Sequence, residues 1–518
     1  MIVVNSSVGP RRAVGRIAWA LVAIAALGLP LTPPAAALLY RAPEGTIKDN
    51  CVVWNNGTYY LFAMYRYEQK ARDQDQWRSV WLATSTDGVH WKDVGPVIKD
   101  APFGIYAMRV WRVGDRFVMN HGSFTGEAQD VLRLWESPDL VRWEYLGPDY
   151  DVRRPDGGRI DHMDVITAEE DGKTVYYGYA VGGVLRSEDG LKWHWLGELP
   201  LSGDISFRVV QEPGGCQRFG DTYYLLVGGF LPGGFEYAVA TYIANHPTGP
   251  FYPDYPAFRL NGYSGRELVA LWAGYCRLPD ETLFTNYVLD PGGQFWWHAP
   301  LKSTVVDDAG HLHMGYWHGN EALKGTCLSE TSANPHRVFP DSPGITTFSE
   351  KEVAIAAPAF PHVRWITPDK PNIVCAFAGP VLDFDAGCIV EGTMRVSGTD
   401  GIAFPAAGIA LEQTNQEAVA ILFGTWGQTL IGRLSYHDAP HFDPADITGF
   451  GCATVAGMPA GKTCSYRLLI RKGIFEVYLD DLLVQTCSGD NLTGRIGFIV
   501  QDGKGTFAWP RIWTMSLP

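Results

Sequence analysis

Three carboxyl groups stand at equivalent places in the chain and could together perform acid–base chemistry. Each acid lies eight residues before the glycine of a hairpin turn: Asp49 before Gly57, Asp164 before Gly172 and Glu212 before Gly220. Asp161 lies at the same edge as Asp164 and is the alternative third acid. Cleavage of a glycosidic bond needs one protonated and one ionised carboxyl group on opposite sides of the sugar. The spacing therefore predicts a site for this chemistry.

The three acids can be given separate roles because the two catalytic carboxyl groups need different pKa values. We assign Glu212 as the general acid and Asp49 as the general base or nucleophile. A third carboxylate, Asp164 or Asp161, would raise the pKa of the acid through like-charge repulsion. The alternative is that each acid only caps a strand end.

Four further residues could contact a sugar. Arg66 and Arg109 fall near inner strands and could hold sugar hydroxyls or a substrate carboxylate. Trp272 could stack on a sugar face and His162 could line the same channel, although core packing is the alternative for both. No cofactor and no metal site is predicted, because the sequence has neither a Cys-x-x-Cys pair nor a Gly-rich phosphate loop.

A repeated turn indicates which elements position these residues. The pattern Ser-x-Asp-x-x-x-Trp occurs at residues 85–91, 137–143 and 187–193, so its tryptophans are 52 and 50 residues apart. The Ser and Asp can close a tight turn through side-chain to backbone hydrogen bonds, and the Trp then packs at the start of the next strand. Even spacing at this period is typical of repeat architectures.

The residues before each turn read as further strands. In the first unit, apolar residues 51–54 and 58–63 flank Asn55-Asn56-Gly57, which is a strong hairpin signal, and residues 80–84 form a third strand. Four antiparallel strands about every fifty residues indicate a propeller blade. Five such units are predicted, starting near Asp49, Tyr106, Asp161, Glu212 and Glu267.

The predicted fold class is all-β: a five-bladed β-propeller over residues 38–326, followed by a C-terminal β-sandwich over residues 327–518. Short alternating strands at residues 466–471, 474–479 and 494–500 support the sandwich. A generic all-β sandwich without blades is the alternative for the first region.

Composition and the N-terminal residues bear on partners and location. A net charge of −14 without a run of Lys or Arg argues against nucleic acid and leaves a neutral carbohydrate as the expected partner. Residues 1–37 resemble an export signal with a cut after Ala37, so an exported protein is expected, with no membrane contact after cleavage; a membrane anchor is the alternative. The nine cysteines are expected to be mostly buried thiols, with one or two bridges in the C-terminal third.

The chain also resembles a known superfamily. Residues 47–50, the hairpin around Gly57, the Ser-x-Asp-x-x-x-Trp turns and the segment around Glu212 are similar to those of glycoside hydrolase family 43 and its fructan-active relatives, families 32 and 68. The resemblance covers roughly residues 40–320. It implies a five-bladed propeller acting mainly on furanosides and xylosides, with an Asp in blade one, an Asp in blade three and a Glu in blade four.

The sequence thus favours an exported glycoside hydrolase that cleaves furanosidic or related bonds of a poly- or oligosaccharide. One alternative is a fructan-active enzyme of the same fold. The other is a glycan-binding propeller without catalysis.

Overall fold

The computed structural model describes residues 38–43, 45–66, 77–125, 128–203, 209–230, 237–264, 268–289, 296–328, 335–339, 344–357, 373–398, 404–436, 441–448 and 457–517. The chain separates into the units Met1–Ala35 and Ala36–Pro518. The predicted export signal, residues 1–37, lies outside the described residues. Within the described ranges no helix is long and apolar enough to cross a membrane.

The structure is almost entirely β, as predicted. Three sheets come first, and each contains four antiparallel strands paired in chain order. The first sheet contains β1 (Thr46–Asn55), β2 (Thr58–Arg66), β3 (Ser79–Ser85) and β4 (Lys92–Ile98), and the second contains β5 (Tyr106–Val113), β6 (Arg116–Thr125), β7 (Ala128–Ser137) and β8 (Glu144–Tyr145). The third sheet contains β9 (Asp161–Glu170), β10 (Lys173–Val181), β11 (Gly183–Ser187) and β12 (His194–Gly197). Two of the expected unit starts, Tyr106 and Asp161, are the first residues of β5 and β9.

The next strands belong to a nineteen-stranded sheet that continues past residue 326. Its first part contains β13 (Val209–Phe219), β14 (Thr222–Phe230), β15 (Tyr237–Ala244), β16 (Tyr252–Pro253), β17 (Arg259–Ser264), β18 (Leu268–Arg277), β19 (Thr282–Leu289), β20 (Trp296–His298), β21 (Lys302–Val306), β22 (Leu312–Tyr316) and β23 (Lys324–Cys327). Short 3-10 helices lie at Pro148–Tyr150, Tyr255–Ala257 and His318–Leu323.

The C-terminal third supplies the rest of that sheet and a separate sheet of seven strands. The large sheet takes β25 (Ile345–Phe348), β26 (Glu352–Ala356), β28 (Cys388–Gly398), β33 (Thr463–Arg471), β34 (Ile474–Leu479), β35 (Leu482–Ser488), β37 (Gly503–Ala508) and β38 (Arg511–Met515). The seven-stranded sheet contains β24 (Pro335–Phe339), β27 (Ile373–Asp383), β29 (Ala406–Thr414), β30 (Glu417–Gly424), β31 (Thr429–Ser435), β32 (His441–Thr448) and β36 (Thr493–Gln501). One apolar core draws buried residues from both sheets.

The repeated turns form as the sequence predicts. In the first copy the Gly88 amide donates to Ser85 Oγ at 2.9 Å, and Asp87 Oδ1 accepts the amides of Val89 and His90 at 2.9 and 2.8 Å. The copies that begin at residues 137 and 187 repeat the amide bonds to the Asp carboxylate. In each copy the Trp lies directly before β4, β8 or β12.

The first strands of the five predicted units contact one another in a closed order: β1 with β5, β5 with β9, β9 with β13, β13 with β18, and β18 with β1. Each of them has a register shift in its first half where it pairs with the following strand. At three of these irregularities a residue other than glycine has positive φ: Asp49 at 50°, Ala107 at 37° and Trp272 at 57°. Because a bulge redirects the side chains around it, the starts of these strands can turn residues toward the space they surround.

No two of the eight described cysteines form a disulfide with each other, and seven of them are buried while Cys327 is exposed. The expected bridges in the C-terminal third are therefore wrong for the described cysteines. Buried thiols here act as small apolar side chains in the core.

A buried ion pair joins the C-terminal strands to the preceding ones. Lys302 Nζ of β21 lies 2.7 Å from Glu476 Oε1 of β34, and both side chains are fully buried. The ammonium also donates to Asn286 Oδ1 at 3.0 Å and to the Pro300 carbonyl at 2.8 Å. Tyr478 donates to the second carboxylate oxygen at 2.7 Å. Each charge is thus compensated by a partner and by further hydrogen bonds.

We expect Lys302→Met to lower the free energy of unfolding by about 3–5 kcal/mol, because it leaves the Glu476 carboxylate buried without a cation. The double variant Lys302→Met/Glu476→Gln should recover part of that loss, since the glutamine still accepts from Tyr478 without carrying a charge. Urea unfolding followed by tryptophan fluorescence measures both.

The matched control is Lys462→Met, which removes a lysine whose ion pair with Asp480 spans 3.2 Å at the surface. Exposed pairs contribute about 0–1 kcal/mol, so this variant should unfold close to the wild type. An equal effect of the two single variants would contradict a special contribution from the buried pair.

Candidate functional site

The starts of the five first strands surround a cavity of about 200 Å³. Three carboxyl groups line it, from Asp49 of β1, Asp161 of β9 and Glu212 of β13. Two cationic side chains, Lys48 and Arg159, line it as well. The cavity therefore concentrates charged groups that are far apart in the sequence.

Asp49 lies on the bulge of β1 and is held from two sides. The Tyr287 hydroxyl of β19 donates to Asp49 Oδ1 at 2.8 Å. Lys48 Nζ lies 3.7 Å from Asp49 Oδ2. The negative charges of Asp49, Glu212 and Asp161 raise the pKa of Lys48 against the opposing effect of burial, so the lysine stays cationic.

Asp161 is buried and paired at the first position of β9. Arg159 Nη2 donates to its Oδ2 at 2.9 Å, and the His162 amide donates to its Oδ1 at 2.8 Å. Burial alone would raise the pKa of this carboxyl group, but the neighbouring His162 and Arg159 outweigh burial and hold the pKa below its usual range. The surroundings of Asp161 therefore stabilise its ionised form.

Glu212 has the opposite electrostatic environment. Burial raises its pKa above the usual value, and the negative charges of Asp161 and Asp49 raise it further, while His162 and Arg159 act in the other direction. Arg159 reaches Glu212 Oε1 at 3.5 Å, which is a longer contact than its bond to Asp161. Two carboxyl groups that share one arginine thus have pKa values shifted in opposite directions.

A glycine shapes the space beside Glu212. Gly228 of β14 is the register partner of Glu212, and a Cβ atom at this position would clash with the Tyr237 hydroxyl. Any larger residue would displace the tyrosine, whose own pKa is raised by burial and by the charges of Glu212 and Asp49. The packing around Glu212 consequently depends on the absence of a side chain at position 228.

Asp164 lies outside this cavity. Its carboxylate accepts from Arg277 Nη2 at 2.8 Å and from the Cys216 amide at 3.1 Å. It lines a second cavity of about 750 Å³, most of whose other lining residues lie further along the same first strands. Of the two candidates for the third acid, the structure brings Asp161 together with Asp49 and Glu212.

Two of the four predicted binding residues line the cavity, and the other two do not. His162 and Trp272 line the cavity, with ring centroids 4.7 Å apart in an edge-to-face arrangement. Arg109 is buried with its guanidinium 5.0 Å from the Trp272 ring centre. Arg66 stands 5.0 Å from the ring centre of Trp77, which lines the cavity. Both arginines are thus one layer away from the cavity wall.

Sequence reasoning gave no role to three residues of this site: Lys48, Arg159 and Tyr287. Arg159 and Lys48 lie next to predicted acids, so a search for cations within two residues of each acid would have found them. Tyr287 lies 238 residues from Asp49 and carries no local signal. Among the residues that the structure describes, no group of three or more His, Cys, Asp and Glu side chains is arranged to hold a metal ion.

Comparison with known proteins finds similarity by structure only. No protein-family model and no curated protein sequence matches the chain. The family 32 β-fructofuranosidase of Bombyx mori superposes with a TM-score of 0.61 at 13% identity, over 94% of this chain and 96% of that one. Sucrose-6-phosphate hydrolase from Lactobacillus gasseri superposes with a TM-score of 0.63 at 14% identity, over 94% of each chain. Fructan 1-exohydrolase IIa from Cichorium intybus superposes with a TM-score of 0.60 at 12% identity, over 94% of this chain and 99% of that one. The chain therefore shares the fold of these propeller glycoside hydrolases.

The arrangement predicts opposite effects of two substitutions on the pKa of Glu212. Asp161→Asn removes a negative charge and frees Arg159, so the pKa of Glu212 should fall. Arg159→Gln removes a positive charge, so the pKa of Glu212 should rise. Carbon-13 NMR of glutamate-labelled protein follows the carboxyl titration, and the resonance absent from Glu212→Gln identifies Glu212.

Arg218→Gln is the control for the arginine variant, because Arg218 pairs with Asp221 at the surface, 2.9 Å away. The Arg218→Gln variant should leave the pKa of Glu212 unchanged. Shifts of the same sign in Asp161→Asn and Arg159→Gln would contradict the electrostatic account.

Proposed function

We propose that the protein is a glycoside hydrolase in which Glu212 is the general acid, Asp49 the nucleophile or general base, and Asp161 the third acid. The observation that carries the proposal is that Asp49, Asp161 and Glu212 line one cavity, in which the surroundings raise the pKa of Glu212 and lower that of Asp161. Carboxyl groups whose environments push their pKa values apart are the arrangement that acid–base catalysis of glycosidic cleavage requires.

In this mechanism Glu212 donates its proton to the oxygen of the leaving group as the glycosidic bond breaks. Asp49 either attacks the anomeric carbon or removes a proton from the water that attacks it. Tyr287 and Lys48 hold the Asp49 carboxylate in position during this step. Asp161 remains ionised, keeps the pKa of Glu212 high and offers an acceptor for sugar hydroxyls.

We further propose that the five units form a five-bladed propeller followed by a β-sandwich, with the boundary near residue 326. The closed order of contacts among β1, β5, β9, β13 and β18 supports five blades. The core shared by the two C-terminal sheets supports the sandwich. Similarity to the fold of the family 32 enzymes supports both.

A fructan-active enzyme is the second candidate. The observation in its favour is that the structural relatives include a fructofuranosidase bound to fructose and a fructan exohydrolase variant in complex with 1-kestose. We propose a furanosidic bond as the target, with fructosides as the first substrates to test. Export remains part of the proposal, and a mature N-terminus at Leu38 in the exported protein would support it.

The first experiment compares Glu212→Gln and Asp49→Asn on two kinds of glycoside. With a sugar leaving group, Glu212→Gln should lose about 10²–10⁴-fold in kcat, because the departing oxygen needs a proton. With an activated aryl leaving group, which departs without protonation, the same variant should lose much less. Asp49→Asn should lose activity on both substrates, since bond formation at the anomeric carbon precedes or accompanies departure.

Glu188→Gln serves as the matched control, because Glu188 is an exposed acid in a repeated turn. Reducing-sugar release and aryl release are the two readouts. Equal losses of Glu212→Gln on both substrates would contradict its role as the acid. Binding of glycans by a wild-type protein that releases no sugar would instead favour a glycan-binding propeller without catalysis.

The pH profile gives an independent test. The ionised fraction of Glu212 rises as the pH passes its raised pKa, so kcat/KM should fall on the alkaline side at a pH above the usual glutamate range. In Asp161→Asn this alkaline limb should move to lower pH, provided that activity remains measurable. A profile that stays flat from mildly acidic to alkaline pH would contradict the assignment of Glu212.

A further inference from the structure

The part of β13 that carries Glu212 is held weakly by its own sheet. β13 is the end strand of that sheet and follows β14 in the pairing order. Glu212 and Pro213 are in register with β14, but the register of the pairing shifts both before Glu212 and after Pro213. Pro213 also has no amide hydrogen to donate. Because irregular pairing disrupts the ladder locally, contacts from other elements matter more for the position of the Glu212 backbone than in a regular strand.

His162 of β9 supplies such a contact from the neighbouring sheet. Its Nε2 atom lies 2.8 Å from the carbonyl oxygen of Pro213. A carbonyl oxygen can only accept a hydrogen bond, so Nε2 carries the hydrogen and donates it. Pro213 directly follows Glu212 in the chain. The hydrogen bond therefore holds the backbone one residue beyond the candidate acid.

His162 is itself fixed from two further sides. Its buried ring packs edge-to-face against Trp272 of β18, with centroids 4.7 Å apart. The next residue, Met163, is held by the buried side chain of Asn120 in β6: Asn120 Oδ1 accepts the Met163 amide at 2.8 Å, and Asn120 Nδ2 donates to the Met163 carbonyl at 2.7 Å. Both the ring and the backbone at this position are thus anchored, so the hydrogen bond to Pro213 transmits a defined position to β13.

The remaining polar atoms of His162 lie beside Asp161. The His162 amide donates to Asp161 Oδ1 at 2.8 Å, and Nδ1 of the ring lies 3.8 Å from the same oxygen. One residue therefore contacts both the carboxylate of Asp161 and the backbone that carries Glu212. Since Nδ1 is buried and Nε2 is bonded to Pro213, neither ring nitrogen is open to a sugar hydroxyl.

We propose that His162 is a positioning residue for the general acid, which fixes Glu212 through the Pro213 carbonyl and makes no polar contact with the sugar. The inference rests on the proposed function for the role of Glu212. It goes beyond that function by assigning His162 to the alignment of the acid instead of to substrate binding. A displacement of about 1 Å at a reacting group can cost about 10²-fold in rate. Loss of this hydrogen bond should therefore reduce the chemical step and leave substrate affinity nearly unchanged.

The first comparison is between His162→Leu and the wild type, on glycosides that differ in their leaving group. Leucine has a size similar to that of histidine but has no donor. With a sugar leaving group, kcat should fall about 10–10²-fold at nearly constant KM, because Glu212 is no longer aligned with the departing oxygen. With an activated aryl leaving group, kcat/KM should fall much less, since this leaving group departs without a proton.

His162→Gln tests the hydrogen bond itself. The amide nitrogen of glutamine is as many bonds from the backbone as Nε2 of histidine, so it can donate to the Pro213 carbonyl and should restore most of the lost kcat. The amide of His162→Asn is one bond shorter and should not restore it. Thermal melting shows whether each variant folds, and His162→Asn takes the place of His162→Leu if the leucine variant melts far below the wild type.

His194→Leu is the matched control, because His194 is an exposed histidine of β12, and its kinetics should equal those of the wild type. Equal losses of His162→Leu on both substrates, or a raised KM with unchanged kcat, overturn the inference. A glutamine variant that is no more active than the leucine variant also overturns it. Failure of the proposed function has a different signature, because Glu212→Gln assayed alongside would then lose equally on both substrates.

Discussion

The mutual repulsion of three carboxyl groups is the constraint on which the site depends. Asp49, Asp161 and Glu212 line one cavity of about 200 Å³, where less water is present to screen their charges. The chain accommodates this repulsion with Lys48 and Arg159, and by leaving Glu212 as the carboxyl group whose pKa rises. The side chains that compensate the negative charges of this cavity therefore also determine which of its carboxyl groups has the raised pKa.

The bulges of the first strands make this arrangement geometrically possible. In a regular strand, residues alternate between two faces, so consecutive residues cannot point into the same space. At the start of β1, the positive φ of Asp49 and the register shift beside it allow both Lys48 and Asp49 to line the cavity. A shift after the first residue of β9 does the same for Asp161 and His162. The positive φ of Asp49 places backbone strain where the side chains converge, as is common at functional sites.

The C-terminal strands support these elements from outside the cavity. Lys302 lies on β21, which pairs with β19, and β19 carries Tyr287, the residue that holds Asp49. The fully buried pair between Lys302 and Glu476 thus connects the C-terminal strand β34 with the element that positions a proposed catalytic group. Rigid supporting contacts of this kind keep reacting groups within the narrow range of geometries that catalysis requires.

The sequence by itself determined the features that depend on neighbouring residues. The three Ser-x-Asp-x-x-x-Trp turns could be predicted because their hydrogen bonds close within a few residues. The hairpin at Asn56 and Gly57 could be predicted because both residues tolerate the positive φ values of 47° and 80° found there. The starts of β5 and β9 followed from the spacing of the repeat.

Only the tertiary structure decided which residues meet. Asp164 fitted the spacing to the hairpin glycine and Asp161 was the alternative at the same edge, but the register shift in β9 sends Asp161 to the cavity and leaves Asp164 with Arg277. Tyr287 reaches Asp49 across 238 residues through the contact between the last and first units. Such pairings depend on the order in which the first strands contact one another and on the local bulges, and neither property is encoded within a window of neighbouring residues.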